Sequence, residues 1–135
     1  MPDRGAPRVR GAEGEGRGVR RVAKPWGHEL IFAENDRYAG KILHLEGGHS
    51  LSLQYHERKD ETLYVLMGEV ELSVEVDGQM RQIRLSPGEA YRVRPGVRHR
   101  LRAENSCDLV EVSSPELEDV VRLEDAYGRA GSSAP

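Results

Sequence analysis

The clearest signal in the chain has a period of two. In EVELSVEVDG, Val70, Leu72, Val74 and Val76 alternate with Glu69, Glu71, Ser73 and Glu75, the pattern of a strand with one buried and one wetted face. Asp77-Gly78 follows, and both residues tolerate the positive φ that a two-residue hairpin turn demands. The return strand is QMRQIRL, where Ile83 and Leu85 alternate with charge, and Ser86-Pro87-Gly88 ends it in a turn. Residues 90–93 predict a further short strand closed by Pro95-Gly96, and residues 99–102 and 109–112 predict two more. Upstream, residues 38–45 and 50–55 flank Gly47-Gly48 in the same way. Many short strands, punctuated by turns at roughly ten-residue intervals, predict an all-β double sheet or barrel. One short helix is expected, at the C-terminal ELEDVVRLEDAYG.

Composition sharpens this picture. A chain of 135 residues has room for one domain with one core. Only one Phe and one Trp are present, so that core must rest on Val, Leu and Ile, which favours strands. The formal charge is −3 and acids alternate with bases through the body, which argues against a nucleic-acid partner. Cys107 is alone, so no intrachain disulfide can form, and nothing near it would activate the thiol. No apolar run approaches the roughly 20 residues of a membrane span, and the start lacks an apolar secretory stretch; a soluble cytoplasmic protein without a membrane partner is expected. Residues 1–18 read as a disordered Gly/Arg-rich arm, 19–129 as the folded domain and 130–135 as a disordered tail.

The candidate chemistry lies in SLQYHERKDE. Gln54 and His56 stand two apart, so on a strand both side chains leave the same face about 7 Å apart. Glu61 opens ETLYVLMG beyond the polar turn Glu57 to Asp60, and an antiparallel return would gather three ligands on one hairpin. His99, after the Pro95-Gly96 turn, is the fourth candidate. Imidazoles, a carboxylate and an amide oxygen suit a borderline divalent cation, zinc first, with iron, manganese, nickel and cobalt compatible. A set with one weak neutral amide leaves a position for substrate and hence for chemistry. Spacing alone also fits a second reading, a polar turn at a sheet edge.

Gly48 to Gly68, GHSLSLQYHERKDETLYVLMG, resembles the first cupin motif, and Gly88 to His99, GEAYRVRPGVRH, resembles the second. The resemblance implies a single-domain cupin, a jelly-roll barrel (double-stranded β-helix) with a metal inside. A narrower resemblance is to the C-terminal isomerase domain of type II mannose-6-phosphate isomerases, which accompanies mannose-1-phosphate guanylyltransferase in bifunctional enzymes. It is carried in order by Lys24-Pro25-Trp26-Gly27 with Glu29, Tyr38, Lys41, SLQYH with Glu61, PGVRHRL, Glu111-Val112 and DVVRLEDAYGR.

This resemblance implies Gln54, His56, Glu61 and His99 as ligands of one divalent ion, and a hexose 6-phosphate substrate. The implied activity is aldose–ketose interconversion of the mannose 6-phosphate to fructose 6-phosphate type. Moving a proton between C1 and C2 needs a general base, for which Lys41 and Glu111 are the candidates. Lys59, Arg98 and Arg129 are the candidate phosphate contacts, and Arg122 is a further available cation that reads equally as a surface partner of Glu118. His28, His44 and His49 lack ligand spacing, and Trp26 and Tyr64 read as core or barrel-mouth residues. Cupins pair through sheet edges, so a homodimer is expected. The chain departs from the resembled pattern at Glu57, Arg58, Lys59, Asp60 and Thr62, positions expected to line the barrel mouth, and Lys59 stands where the pattern carries Arg. Two alternatives follow from that departure and from the breadth of cupin chemistry: a non-catalytic cupin binding a sugar or other small ligand, or a metal-dependent cupin oxygenase.

Overall fold

The computed structural model describes residues 17–129 and 131–132. Its strands are β1 (Arg20–Lys24), β2 (Gly27–Glu34), β3 (Ala39–Leu45), β4 (His49–Ser50), β5 (Leu53–Tyr55), β6 (Glu61–Met67), β7 (Val70–Val76), β8 (Gln79–Leu85), β9 (Ala90–Val93), β10 (His99–Ala103), β11 (Cys107–Ser113), β12 (Val121–Glu124) and β13 (Gly131–Ser132). Two antiparallel sheets result, one ordered β1-β2-β3-β11-β6-β9 and the other β13-β12-β5-β10-β7-β8, with β4 also pairing to β10. The β7–β8 hairpin turns on Asp77 and Gly78 at φ of 52° and 78°, as its sequence predicts.

The inner faces meet over Leu43, Leu45, Leu63, Val65, Leu72 and Leu109, each at most 1 % exposed. Burying a side chain of this size is worth about 1.5–3 kcal/mol, so this layer drives the closure of the two sheets. At one end the inward phase turns polar. Lys41 continues the Leu43–Leu45 face of β3, Glu61 the Leu63–Val65 face of β6, Glu111 the Leu109 face of β11 and His99 the Leu101 face of β10, and all four are buried. The fold is thus dry at one end and lined with ionisable groups at the other.

Two expectations are corrected. The C-terminal helix is absent: residues 117–118 form a turn, residues 119–120 are irregular, and Val121–Glu124 pair with β5 as β12. The apolar spacing of Leu117, Val120 and Val121 imitates a helix, but two adjacent β-branched valines beside the unpaired edge of β5 favour a strand. Second, β5 and β6 do not form a hairpin, since β5 pairs with β10 and β12 while β6 pairs with β11 and β9. The arm expected over 1–18 lies outside the described residues up to position 16. Of the tail, Gly131–Ser132 pair with β12, and the other positions lie outside the described residues. Among the described residues no helix is long and apolar enough to cross a membrane.

Candidate metal centre and inner cavity

Because β5 and β6 belong to different sheets, Glu61 meets the histidines from across the sandwich. His99 opens β10, His56 directly follows β5, and Glu61 opens β6. One ligand atom from each lies within 4.8 Å of the other two, with all three residues buried. His56 Nε2 stands 3.3 Å from Glu61 Oε1, and His99 Nε2 stands 3.6 Å from Glu61 Oε2.

The two rings are held in one orientation. His56 Nδ1 is 2.6 Å from the carbonyl of Asp119, and His99 Nδ1 is 2.9 Å from that of Val97. A carbonyl only accepts, so Nδ1 carries the proton in both rings and each Nε2 presents a lone pair. Both Nε2 atoms and Glu61 Oε1 are buried without a hydrogen-bond partner. Three buried acceptors converging without a donor are costly as they stand, and a divalent cation is the partner that satisfies them together. The residues therefore fit a metal ion on their own geometry.

Gln54 lies directly opposite His99 in the β5–β10 ladder, so both side chains leave the same face of the sheet. Its Oε1 accepts a 2.6 Å hydrogen bond from the buried Ser52 hydroxyl, and the residue lines the same cavity as His56. An amide oxygen keeps a second lone pair in that arrangement.

Behind Glu61 runs a buried chain of alternating charge. Lys59 Nζ is 3.1 Å from Glu61 Oε1 and 2.7 Å from Glu111 Oε2. Lys41 Nζ is 4.0 Å from Glu111 Oε2 and 3.2 Å from Glu29 Oε2. Burial opposes charge on Glu61, but the Lys59 ammonium outweighs it and holds the carboxyl well below its ordinary range. Burial likewise opposes charge on Lys59, and Glu111 and Glu61 raise its pKa in spite of it. The lysine is close to Glu61 Oε1 and Glu111 Oε2 yet not aligned to hydrogen-bond either, so both oxygens still lack an aligned donor.

The structure thus brings Lys41, Glu111, Lys59, Gln54, His56, Glu61 and His99 into one polar interior, and Arg129 also lines the cavity. Arg98 is not brought there. It points outward, 3.1 Å from Glu75, because it precedes the inward-facing His99 and so takes the opposite phase. Lys59 lies deep in the interior, not at the mouth, at 3 % exposure. Glu57, Arg58 and Asp60 do face outward; Asp60 turns away to pair with Arg92.

Sequence reasoning left Glu29, Lys24 and Asp119 out of the site, and read Arg122 equally as a phosphate cation and as a surface partner of Glu118. Glu29 carried a signal, an acid two positions before the inward Ile31. Arg122 is buried in the cavity wall instead of pairing with Glu118 on the surface. Asp119 gave no signal. Its carboxylate accepts the backbone N–H groups of Glu57, Arg58 and Lys59 at 3.0, 2.7 and 2.9 Å, while its carbonyl orients His56. Partial desolvation works against this charge, but the three amides hold its carboxyl below the ordinary range. His28, His44 and His49 stay outside the cluster; His49 instead meets the Tyr127 hydroxyl at 2.6 Å.

The cavity itself is small, about 50 Å³, room for a few waters at roughly 10–15 Å³ each. Residues 117 and 120, with Glu29 and Lys41, also line a neighbouring cleft of about 880 Å³. The loop at 117–120 is therefore the partition between a polar interior and a ligand-sized opening.

A two-sheet antiparallel barrel with one polar end, where two histidines and a glutamate could hold a cation, defines the class of small β-barrel proteins with a candidate metal site. The chain belongs to the cupin domain family, whose pattern matches residues 41–113. It is 32% identical over 115 residues to a mannose-1-phosphate guanylyltransferase of Escherichia coli, covering 82% of this chain and 23% of that protein. It is 31% identical over 115 residues to the xanthan biosynthesis protein XanB of Xanthomonas campestris, covering 82% of this chain and 24% of that one. The chain therefore spans about a quarter of the length of these relatives. Among solved structures, KdgF from Halomonas sp. superposes with a TM-score of 0.62 at 25% identity, covering 73% of this chain and 86% of that one.

Proposed function

We propose that the chain is a metal-dependent sugar-phosphate isomerase of the mannose 6-phosphate to fructose 6-phosphate type. The observation that carries this reading is the cluster of unpartnered His56 Nε2, His99 Nε2 and Glu61 Oε1 beside the buried Glu111–Lys41 pair. Similarity to proteins named for mannose 1-phosphate and xanthan supports a sugar phosphate as substrate. Gln54, His56, Glu61 and His99 would hold one divalent ion, zinc by preference for this borderline donor set. When bound, that ion supplies Lewis-acid polarisation of the substrate's neighbouring carbonyl and hydroxyl oxygens.

The chain's own residues do the proton work. Glu111 is the general base that removes the proton from C2 and returns it at C1, and Lys41, facing it across the β3–β11 ladder, moves the hydroxyl proton between O2 and O1. Lys59 holds the Glu111 carboxylate in place. A hexose exceeds the inner cavity, so it enters from the larger cleft as residues 117–120 give way.

The test is proton NMR of mannose 6-phosphate in D₂O with zinc-loaded protein. Deuterium entering C2 and fructose 6-phosphate appearing are expected; neither appearing sinks the isomerase. Native iron with oxygen consumption would point to the oxygenase alternative, and sugar binding without turnover to the non-catalytic one.

The working unit is a homodimer. Leu30, Ile42, Val110 and Tyr64 form one cross-strand row over the outer face of β2, β3, β11 and β6, an apolar stripe where a wetted sheet would be polar. A monomer mass in light scattering at micromolar concentration would refute it.

A further inference from the structure

We propose that Lys24 and Arg122 form a binding site for a doubly charged phosphate monoester in the wall of the inner cavity. Five cations line this cavity, and three of them are matched. Lys41 lies 3.2 Å from Glu29, Lys59 lies 2.7 Å from Glu111, and Arg129 holds Asp125 with both prongs of its guanidinium at 2.9 and 3.0 Å. Among the described residues, Lys24 and Arg122 have no carboxylate within ion-pair distance.

The two come from opposite sheets. Arg122 shares one inward row with Gln54 and His99, through the β12–β5 and β5–β10 ladders. Lys24 ends β1 across the sandwich, in the row that runs through Gly27 to Leu45. Arg122 is 7 % exposed and its Nε has no hydrogen-bond partner. A buried guanidinium without an anion is expensive. Burial, and then repulsion from Arg129 against the attraction of Asp125 and Glu29, pulls down the pKa of Arg122; burial, and then repulsion from Lys41, Arg122 and Arg129 against the attraction of Glu29, does the same to Lys24. An anion placed between them relieves both effects.

The charge count selects the anion. A phosphate monoester carries about −1.5 to −2 at pH 7, which matches two unpaired cations. A carboxylate would leave one of them bare. The guanidinium supplies a planar fork for two phosphate oxygens and the ammonium a point charge for a third. This inference deepens the sugar-phosphate reading and rests on it for the sugar, while the phosphate site stands on the unmatched charges alone.

Isothermal titration of the zinc-loaded full chain with inorganic phosphate, mannose 6-phosphate and mannose tests it. Both phosphates should bind and mannose should not. Arg122→Gln and Lys24→Met should each weaken phosphate by roughly tenfold or more, with zinc content and far-UV circular dichroism unchanged. If Arg122→Gln fails to fold, Arg122→Lys keeps the charge and should lose affinity with the fork. Arg98→Gln, on the outer surface, should bind as the parent does. Phosphate binding without isomerisation keeps the site and removes the isomerase. No binding at millimolar phosphate, or binding undiminished in both variants, overturns the site.

Discussion

Replacing Lys59 by Met tests the buried charge chain most directly. The ammonium is 4 % exposed between Glu61 and Glu111, themselves 3 % and 6 % exposed, so its removal strands two carboxylates in the interior. Removing one partner of a buried ion pair typically costs about 3–5 kcal/mol. The lower end applies here, since Lys41 remains 4.0 Å from Glu111. A loss near 3 kcal/mol corresponds to a fall in Tm of roughly 10 °C for a domain of this size. Urea unfolding in the presence of chelator reads the loss without help from metal. The double variant Lys59→Met/Glu111→Gln should recover a large part of it, because one stranded charge has gone with the lysine. Zinc should stabilise Lys59→Met more than the parent, since a bound cation also neutralises Glu61 and mass action adds about 2.7 kcal/mol at a hundredfold excess over Kd. A chelator-treated Lys59→Met protein within about 0.5 kcal/mol of the parent, the spread of ordinary surface substitutions, would refute the network.

His56→Ala should lose its zinc while the β-sheet circular dichroism persists, because the ring touches the site and not the leucine core; full metal stoichiometry in the variant would refute the ligand set. Asp119→Ala keeps the carbonyl that meets His56 but removes the carboxylate that ties the amides of Glu57, Arg58 and Lys59, and should weaken zinc binding by roughly 10-fold, the low end for an outer partner of a ligand; competition with a chromophoric chelator measures it, and unchanged affinity would show that the loop holds His56 without that carboxylate. The hydrogen bond from His44 to Asp108, opposed in part by desolvation, raises the His44 pKa. A raised folded pKa stabilises fully below the unfolded value near 6.5 and is lost as pH rises through the folded one. The parent should therefore lose a few tenths to 1 kcal/mol as pH rises from about 6.5 through the folded His44 pKa, the usual worth of an exposed pair. His44→Gln should abolish this slope, and a parent stability that does not fall over that interval would refute it. His28, stacked on His44 with its pKa held down by desolvation and Arg21, acts with the opposite sign at lower pH and so leaves this window clear.

Much of the barrel was written in the strands. Alternation gives the buried phase of β7 directly, and the same alternation in β3, β6, β10 and β11 places Lys41, Glu61, His99 and Glu111 inside with their leucine neighbours. A charged residue standing in the inward phase at one end of a strand is a readable mark of a polar interior, and Glu29 carries that mark too. What alternation cannot say is which sheet a strand joins. A five-residue connection between β5 and β6 can close a hairpin or cross the sandwich, and only the competing claims of β10 and β12 on β5 decide it. Asp119 was invisible for a different reason: its role consists of three amides that meet it after more than fifty intervening residues, and no local pattern encodes that meeting.

The same geometry reassigns the segment in which this chain departs from the resembled isomerase pattern. Glu57, Arg58 and Asp60 face outward, the first two tied to Asp119 through their backbone amides and Asp60 bound to Arg92. Their side chains therefore change the rim and leave the cavity's charges as they are. Lys59 alone turns inward, and there a compact ammonium within 3.1 Å of one carboxylate and 2.7 Å of another replaces a planar fork of five donors. An arginine in that place would present several fixed donors to Glu61 and Glu111, whereas the lysine leaves Glu61 Oε1 and Glu111 Oε2 without an aligned hydrogen bond. Two carboxylate oxygens kept close to a cation yet unsaturated remain available, one to a metal ion and the other to a substrate proton. Lys59→Arg should for that reason preserve the fold and the net charge of the interior while lowering zinc affinity.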